Sequence, residues 1–180
     1  MSLRIDLKPL RGQKNEVFSF DLQTTSLFDS QHGWSLDHQP ARFYGEIQPK
    51  GFLLELNATI EAHLISKCSR CLAEVKESLT LPVCETLLFQ ADTNRVEAEH
   101  KVGELGEKYW IYDMLDYDFS GLVLDVILDA LPITPLCKED CAGLCPSCGM
   151  DLNNGSCNCA NEQIDPRWAK LSTLKNHQEV

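Results

Sequence analysis

The sequence predicts an α+β fold: an antiparallel β-sheet built as a meander, one packed helix, and a cysteine-rich, zinc-binding C-terminal module. Three observations carry this. Residues 52–64 alternate apolar and polar side chains, the period of a half-buried strand. "FSGLVLDVILDAL", residues 119–131, repeats apolar residues at three- and four-residue steps, the period of an amphipathic helix. Residues 137–159, "CKEDCAGLCPSCGMDLNNGSCNC", concentrate the thiols of a chain that has nine cysteines in all.

The bulk properties bound the rest. A chain of 180 residues fits one domain or a domain with a small appendage. We divide it into a sheet domain over 1–135 and a cysteine module over 136–180 that packs on it. Hydrophobic residues make up 43%, enough for a real core. The formal charge of −11 repels bare nucleic-acid backbone over most of the surface and attracts basic partners. The N-terminus has no apolar run of signal-peptide length. No stretch approaches the roughly 20 apolar residues that span a bilayer. The expected compartment is the cytoplasm, or the plastid stroma for an organellar protein. Thiols stay reduced there, so many cysteines point to metal or redox chemistry rather than disulfides.

In chain order, "LRIDL" (3–7) and "VFSFDLQ" (17–23) alternate and read as strands. Residues 24–40 are polar, contain Gly33 and Pro40, and read as a loop, with Trp34 anchored against the sheet edge. "QPKG" (48–51) is a turn signal, so Arg42–Ile47 is expected to pair as a hairpin with the strand that follows. Beyond "CSRC" (68–71) the alternation resumes at Val75, Leu79, Leu81 and Val83. Pro82 makes that an edge strand or marks a bulge. Cys84, alone on this strand, reads as a small buried apolar residue. Residues 92–117 are polar and mainly acidic, an excursion from which "YWIYDML" docks back on the core. Asp118 is a candidate N-cap for the helix, whose buried face is Leu122, Val123, Val126, Ile127 and Ala130. Pro132 stops it. "DPRWAKL" starts a last helix, with Asp165 as N-cap and Pro166 at its first position.

Eight cysteines fall into close pairs: 68/71, 137/141, 145/148 and 157/159. Tetrahedral zinc takes four ligands, so the pairs divide into two sites. "CPSCG" is the most specific piece, because a glycine after the second cysteine lets the backbone turn and aim amides at the thiolates. The loop 149–156 is short and brings Cys157 and Cys159 back to Cys145 and Cys148. Cys68, Cys71, Cys137 and Cys141 form the second set. Pairing 68/71 with 145/148 as a split ribbon is an open alternative, as is iron in place of zinc. Closed four-thiolate sites lack an open position for hydrolysis. "CSRC" lies between strands rather than at a helix N-terminus, which argues against a redox dithiol. No phosphate loop, nucleophile elbow or metalloprotease motif is present.

"CSRCL" between two long strands, then "DFSGLVLDVILDALPITPLC", "CAGLCPSCGMDLN…CNC" and "DPRWAKL", resembles the YceD family of large ribosomal RNA subunit accumulation proteins over roughly residues 40–175. The resemblance implies a role in the synthesis, processing or stability of large-subunit (23S) rRNA and no known catalytic activity. The expected function is therefore non-enzymatic ribosome biogenesis. In one form the chain is an acidic adaptor for a basic ribosomal protein, with Glu97, Glu99, Glu104 and Glu107 as its partner surface. In the alternative it is an RNA-binding zinc module that contacts the rRNA precursor through Lys67, Arg70, Lys76 and Lys138. A dithiol oxidoreductase at Cys68 and Cys71 ranks last.

Overall fold

The computed structural model describes residues 3–10, 16–28, 32–94, 109–113 and 116–159. The expected helix from Asp165 and the acidic set Glu97, Glu99, Glu104 and Glu107 lie outside the described residues. The strands are β1 (Arg4–Asp6), β2 (Phe18–Thr24), β3 (Trp34–Leu36), β4 (Ala41–Lys50), β5 (Leu53–Lys67), β6 (Glu74–Phe89), β7 (Trp110–Tyr112) and β8 (Asp116–Asp118), followed by helix α1 (Ser120–Ala130). The main sheet runs β2-β4-β5-β6-β7, with β3 also on β5, and β1 pairs with β8 as a separate ribbon.

The long alternation does form the centre. Leu54, Leu56, Ala58, Ile60, Ala62 and Leu64 of β5 are all buried. β4 and β6 flank β5 antiparallel, and β6 pairs with it from Lys67↔Glu74 to Leu53↔Leu88. The β4–β5 turn differs from expectation. β4 continues through Pro49, paired with Leu54, and the chain reverses at Gly51, whose φ of 71° suits a residue without Cβ. Among the described residues, β6 at Pro82 has only β5 beside it; β7 covers just Leu87–Phe89, so the missing N–H of Pro82 is tolerated at an edge.

Several expectations need correction. Trp34 is buried, but within a strand: β3 takes up the place beside β5 that β4 leaves, with Trp34 opposite Ser66. "YWIYDML" was expected to dock on the core from within a loop; Tyr109 and Tyr112 are buried, but Trp110–Tyr112 forms a strand that pairs parallel with β6, so the sheet is mixed. Asp118 belongs to β8, and its carboxylate accepts the Ser120 N–H at 3.0 Å one residue ahead of the helix cap. Ala130 is exposed and Leu131 takes the buried place. Cys84 is exposed, because side chains alternate faces and its neighbour Val83 points inward.

The core lies between one face of the sheet and the layer made by β1, β8 and α1. Leu3, Ile5 and Leu7 meet Phe43, Ile47, Leu56 and Ile60 there, with Leu122, Val123 and Ile127 of the helix. Phe20, Phe43, Phe119, Tyr117, Tyr112 and Phe89 form an unbroken chain of ring contacts at 4.9–5.8 Å that ties the two layers. Among the described residues no helix is long and apolar enough to cross a membrane.

Candidate metal centres

The β5–β6 hairpin ends in the tip Cys68–Ala73. The Cys68 N–H donates to the Ala73 carbonyl at 2.8 Å, and the Leu72 N–H returns to the Cys68 carbonyl at 3.0 Å. These bonds curl the chain so that both thiols face one side. The segment after α1 is stitched to this tip by backbone. Ser69 N–H donates to Pro135 O at 2.8 Å and Leu144 N–H to Arg70 O at 3.2 Å. Gly143 (φ 76°) lies where a Cβ would stand 3.2 Å from the Arg70 carbonyl, so a side chain there would crowd the stitch.

This stitching brings Cys137 and Cys141 to Cys68 and Cys71. Sγ of Cys68 lies 3.8 Å from that of Cys141, and Sγ of Cys71 lies 3.5 Å from that of Cys137. All four sulfurs lie within 4.8 Å of one another. Tetrahedral zinc with bonds of about 2.3 Å separates its sulfurs by about 3.8 Å, so the set fits such an ion. Disulfide bonds, at about 2.05 Å, are absent among the described cysteines, all of which are free. Cys68, Cys71 and Cys141 are buried.

Cys145, Cys148, Cys157 and Cys159 form a second group with the same spread of sulfurs. Its first half repeats the hairpin tip: Cys145 N–H donates to Met150 O at 2.8 Å, and Gly149 N–H to Cys145 O at 2.8 Å. The "DLNN" loop then folds on itself. Asp151 accepts the Asn153 N–H at 2.9 Å and the side-chain amides of Asn153 and Asn154 at 2.7 Å. Asn153 also joins the two groups. Its Oδ1 accepts the Ala142 N–H at 2.9 Å and its Nδ2 donates to Cys141 Sγ at 3.4 Å. The sequence reading passed over Asn153, although its position in an Asp-x-Asn turn signal was visible.

In both groups one thiol ionises readily and a neighbour resists. The amide of Cys71, with help from that of Arg70, draws the Cys68 thiol down to about 6 against burial. The amides of Cys148 and Ser147 do the same for Cys145, also to about 6. With charge already placed, their neighbours resist ionising. Cys71 and Cys141 push Cys137 up to about 12, and Cys148, with burial, pushes Cys159 up to about 12. A divalent ion inside either group would stabilise all four thiolates at once.

Of the expected basic set, Lys76 and Lys138 lie beside carboxylates, while Arg70 bonds a neutral carbonyl that leaves its charge in place. Arg70 donates through Nη1 to the Cys141 carbonyl at 2.9 Å. Lys76 pairs with Asp37 at 3.0 Å and Glu74 at 3.5 Å, and Lys138 with Asp140 at 3.8 Å. Lys67 is exposed beside Cys68.

Comparison with known proteins gives the following. The family described as "Large ribosomal RNA subunit accumulation protein YceD" matches residues 56–175. Uncharacterized proteins of Mycobacterium bovis and Mycobacterium tuberculosis are each 31% identical over 150 residues, covering 74% of this chain and 69% of theirs. A protein of Arabidopsis thaliana named "Large ribosomal RNA subunit accumulation protein YCED homolog 1, chloroplastic" is 28% identical over 67 residues, 37% of this chain and 21% of its own length. No solved structure matches.

Proposed function

Because the chain belongs to the family of large ribosomal RNA subunit accumulation proteins, YceD, we propose that it is a non-enzymatic ribosome biogenesis factor, an acidic adaptor that holds a basic ribosomal protein while large-subunit rRNA accumulates. Family membership supports the role in large-subunit rRNA. The carrying observation is that the matched region, residues 56–175, includes both four-cysteine groups and hence the whole stitched tip. In this reading each group holds one zinc ion as a structural centre. Four thiolates close the coordination shell and leave no position for a reacting water. The ions fix the module on the sheet, and the surface does the work.

The adaptor form is favoured over RNA contact by charge. The chain is acidic at −11, and Lys76 and Lys138 lie beside the carboxylates of Asp37 and Asp140. The proposed compartment is one where ribosomes form and thiols stay reduced, the bacterial cytoplasm or the plastid stroma.

The test is a pull-down of the zinc-loaded chain from cell extract, with and without ribonuclease. A basic large-subunit protein retained after ribonuclease supports the adaptor. Loss of all large-subunit material on digestion instead supports direct RNA contact. Capture of neither overturns both.

A further inference from the structure

Beside the first cysteine group lies a groove of about 580 Å³ whose apolar lining comes from Trp34, Ile65, Leu72, Ile133 and Pro135, with Lys67 and Glu74 on its wall. Two of these side chains are placed oddly for a merely solvated surface. Ile133 is fully exposed and Leu72 is 61% exposed. Leu72 also holds a φ of 62°, a region disfavoured for a side chain with a Cβ. The turn at Gly149 has the same hydrogen bonds and uses glycine. At the groove, then, the chain keeps a bulky apolar residue in a conformation that glycine would adopt freely, and presents it outward. Unfavourable backbone retained at a surface points to use. Among the described residues nothing covers Leu72 or Ile133.

Charge indicates the occupant. The groove touches the metal group through sequence neighbours: Lys67 precedes Cys68, Leu72 follows Cys71, and Pro135 lies two before Cys137. Four thiolates around a divalent ion carry a net charge of about −2. Lys67 and Glu74 lie opposite each other across the strand pair. Glu74 is also held by Lys76 at 3.5 Å, and Lys76 by Asp37, so the two lysines and two carboxylates of this wall sum to no net charge. The loaded groove thus pairs an apolar floor with the polar side chains of His32, Ser35 and Ser66 and borders a negative centre on an acidic chain.

We propose that this groove is the docking site for an apolar side chain carried in a lysine- and arginine-rich protein segment. The proposal rests on the adaptor reading above and names the surface that reading requires.

The test uses the full, zinc-loaded chain and three labelled probes: a short Lys/Arg-rich peptide with a central leucine, the same peptide with serine in place of that leucine, and a single-stranded RNA. Binding is read by fluorescence anisotropy at about 0.15 M salt, where close charge pairs still act. Leu72→Gly and Ile133→Ser are compared with wild type. Both positions are exposed, and zinc content and circular dichroism verify folding. Should the turn respond to the Leu72 change, Ile133→Ser still decides. The leucine peptide is expected to bind more tightly than the serine peptide. Each variant should weaken it roughly tenfold, as loss of an anchor contact does, while the serine peptide should be indifferent to them. Equal binding by the variants overturns the proposal, as does failure of wild type to bind the leucine peptide. Groove-dependent binding of the RNA alone makes it a nucleic-acid site. A change of oligomeric state in Ile133→Ser without loss of peptide binding assigns the groove to a second copy of the chain. Both results overturn it. If the variants still retain a basic large-subunit protein in the ribonuclease-treated pull-down, the groove assignment fails and the adaptor stands. If wild type retains none, the adaptor reading falls as well.

Discussion

Leu72 and Gly149 occupy the same place in two copies of one turn. Each follows the second cysteine of a Cys-x-x-Cys pair, and each sends its N–H to the carbonyl of the first, at 3.0 and 2.8 Å. Their φ angles are 62° and 73°. Leucine in this region carries about 1–2 kcal/mol of strain, whereas glycine has none but loses about 0.5–1 kcal/mol through its freer unfolded state. Leu72→Gly is therefore expected to raise stability slightly, by up to about 1.5 kcal/mol, and Gly149→Leu to lower it. Melting curves of both variants check the sign. Opposite signs would show that the side chain of Leu72 contributes more packing than its exposure indicates.

Elemental analysis of the purified chain should give two zinc ions per molecule, one for each cysteine group. A fully folded, metal-free protein with eight free thiols in these groups would contradict the reading.

Metal retention should fall with acidity. Thiols must lose their protons to hold the ion. Above pH 6, Cys68 and Cys145, both at about 6, are already ionised in the empty groups. Cys137 and Cys159, at about 12, still give up protons when the ion enters. Affinity therefore declines as pH is lowered from neutrality. It should decline more steeply below about pH 6, where Cys68 and Cys145 also take up protons. A competing chelator titrated across that range reads the change in slope.

Cys71→Ser should damage the fold far more than Cys84→Ser. Losing one of four ligands removes much of a folding-coupled binding energy on the order of 10 kcal/mol. At the exposed Cys84 the change is expected to stay within about 0.5 kcal/mol, as for other surface positions. Equal melting temperatures would remove Cys71 from the ligand set.

Gly45 of β4 lies opposite Ala58 of β5, and a Cβ on it would collide with the backbone of Asn57 and Ala58. The neighbour is main chain and cannot swing aside. Gly45→Ala should cost about 1–3 kcal/mol or more, the range for overpacking, visible as a lower midpoint in urea unfolding. An unchanged midpoint would mean the strands part there freely.

What was legible in the sequence follows from the range of the interactions involved. β5 could be read because each residue reports its own face, and α1 for the same reason. The same parity was available for Cys84: with Leu81 and Val83 inward, the residue after them faces out, and the preference of cysteine for burial gave way to position. β3, β7 and β8 have three residues each and, unlike β1 within "LRIDL", are not marked by an alternating stretch; each is held by a distant partner strand. The two cysteine sets group as spacing suggests at the second site. At the first they depend on the stitch from Ser69 to Pro135 and from Leu144 to Arg70, which no local signal announces. The pairing of Lys76 with Asp37, 39 positions away, is another long-range contact with no local signal.

Asn153 gives the two cysteine groups a shared hinge pin. It lies in the loop that carries the chain from Cys148 toward Cys157, yet its amide holds Cys141 and the next backbone N–H of the other group. If filling the second group holds that loop more firmly, it also holds the donor that steadies a thiolate of the first. Thermodynamic reciprocity then requires the first to favour the second by the same factor. The protein would load its ions as a linked pair, and Asn153→Ala should turn one cooperative metal titration into two independent ones.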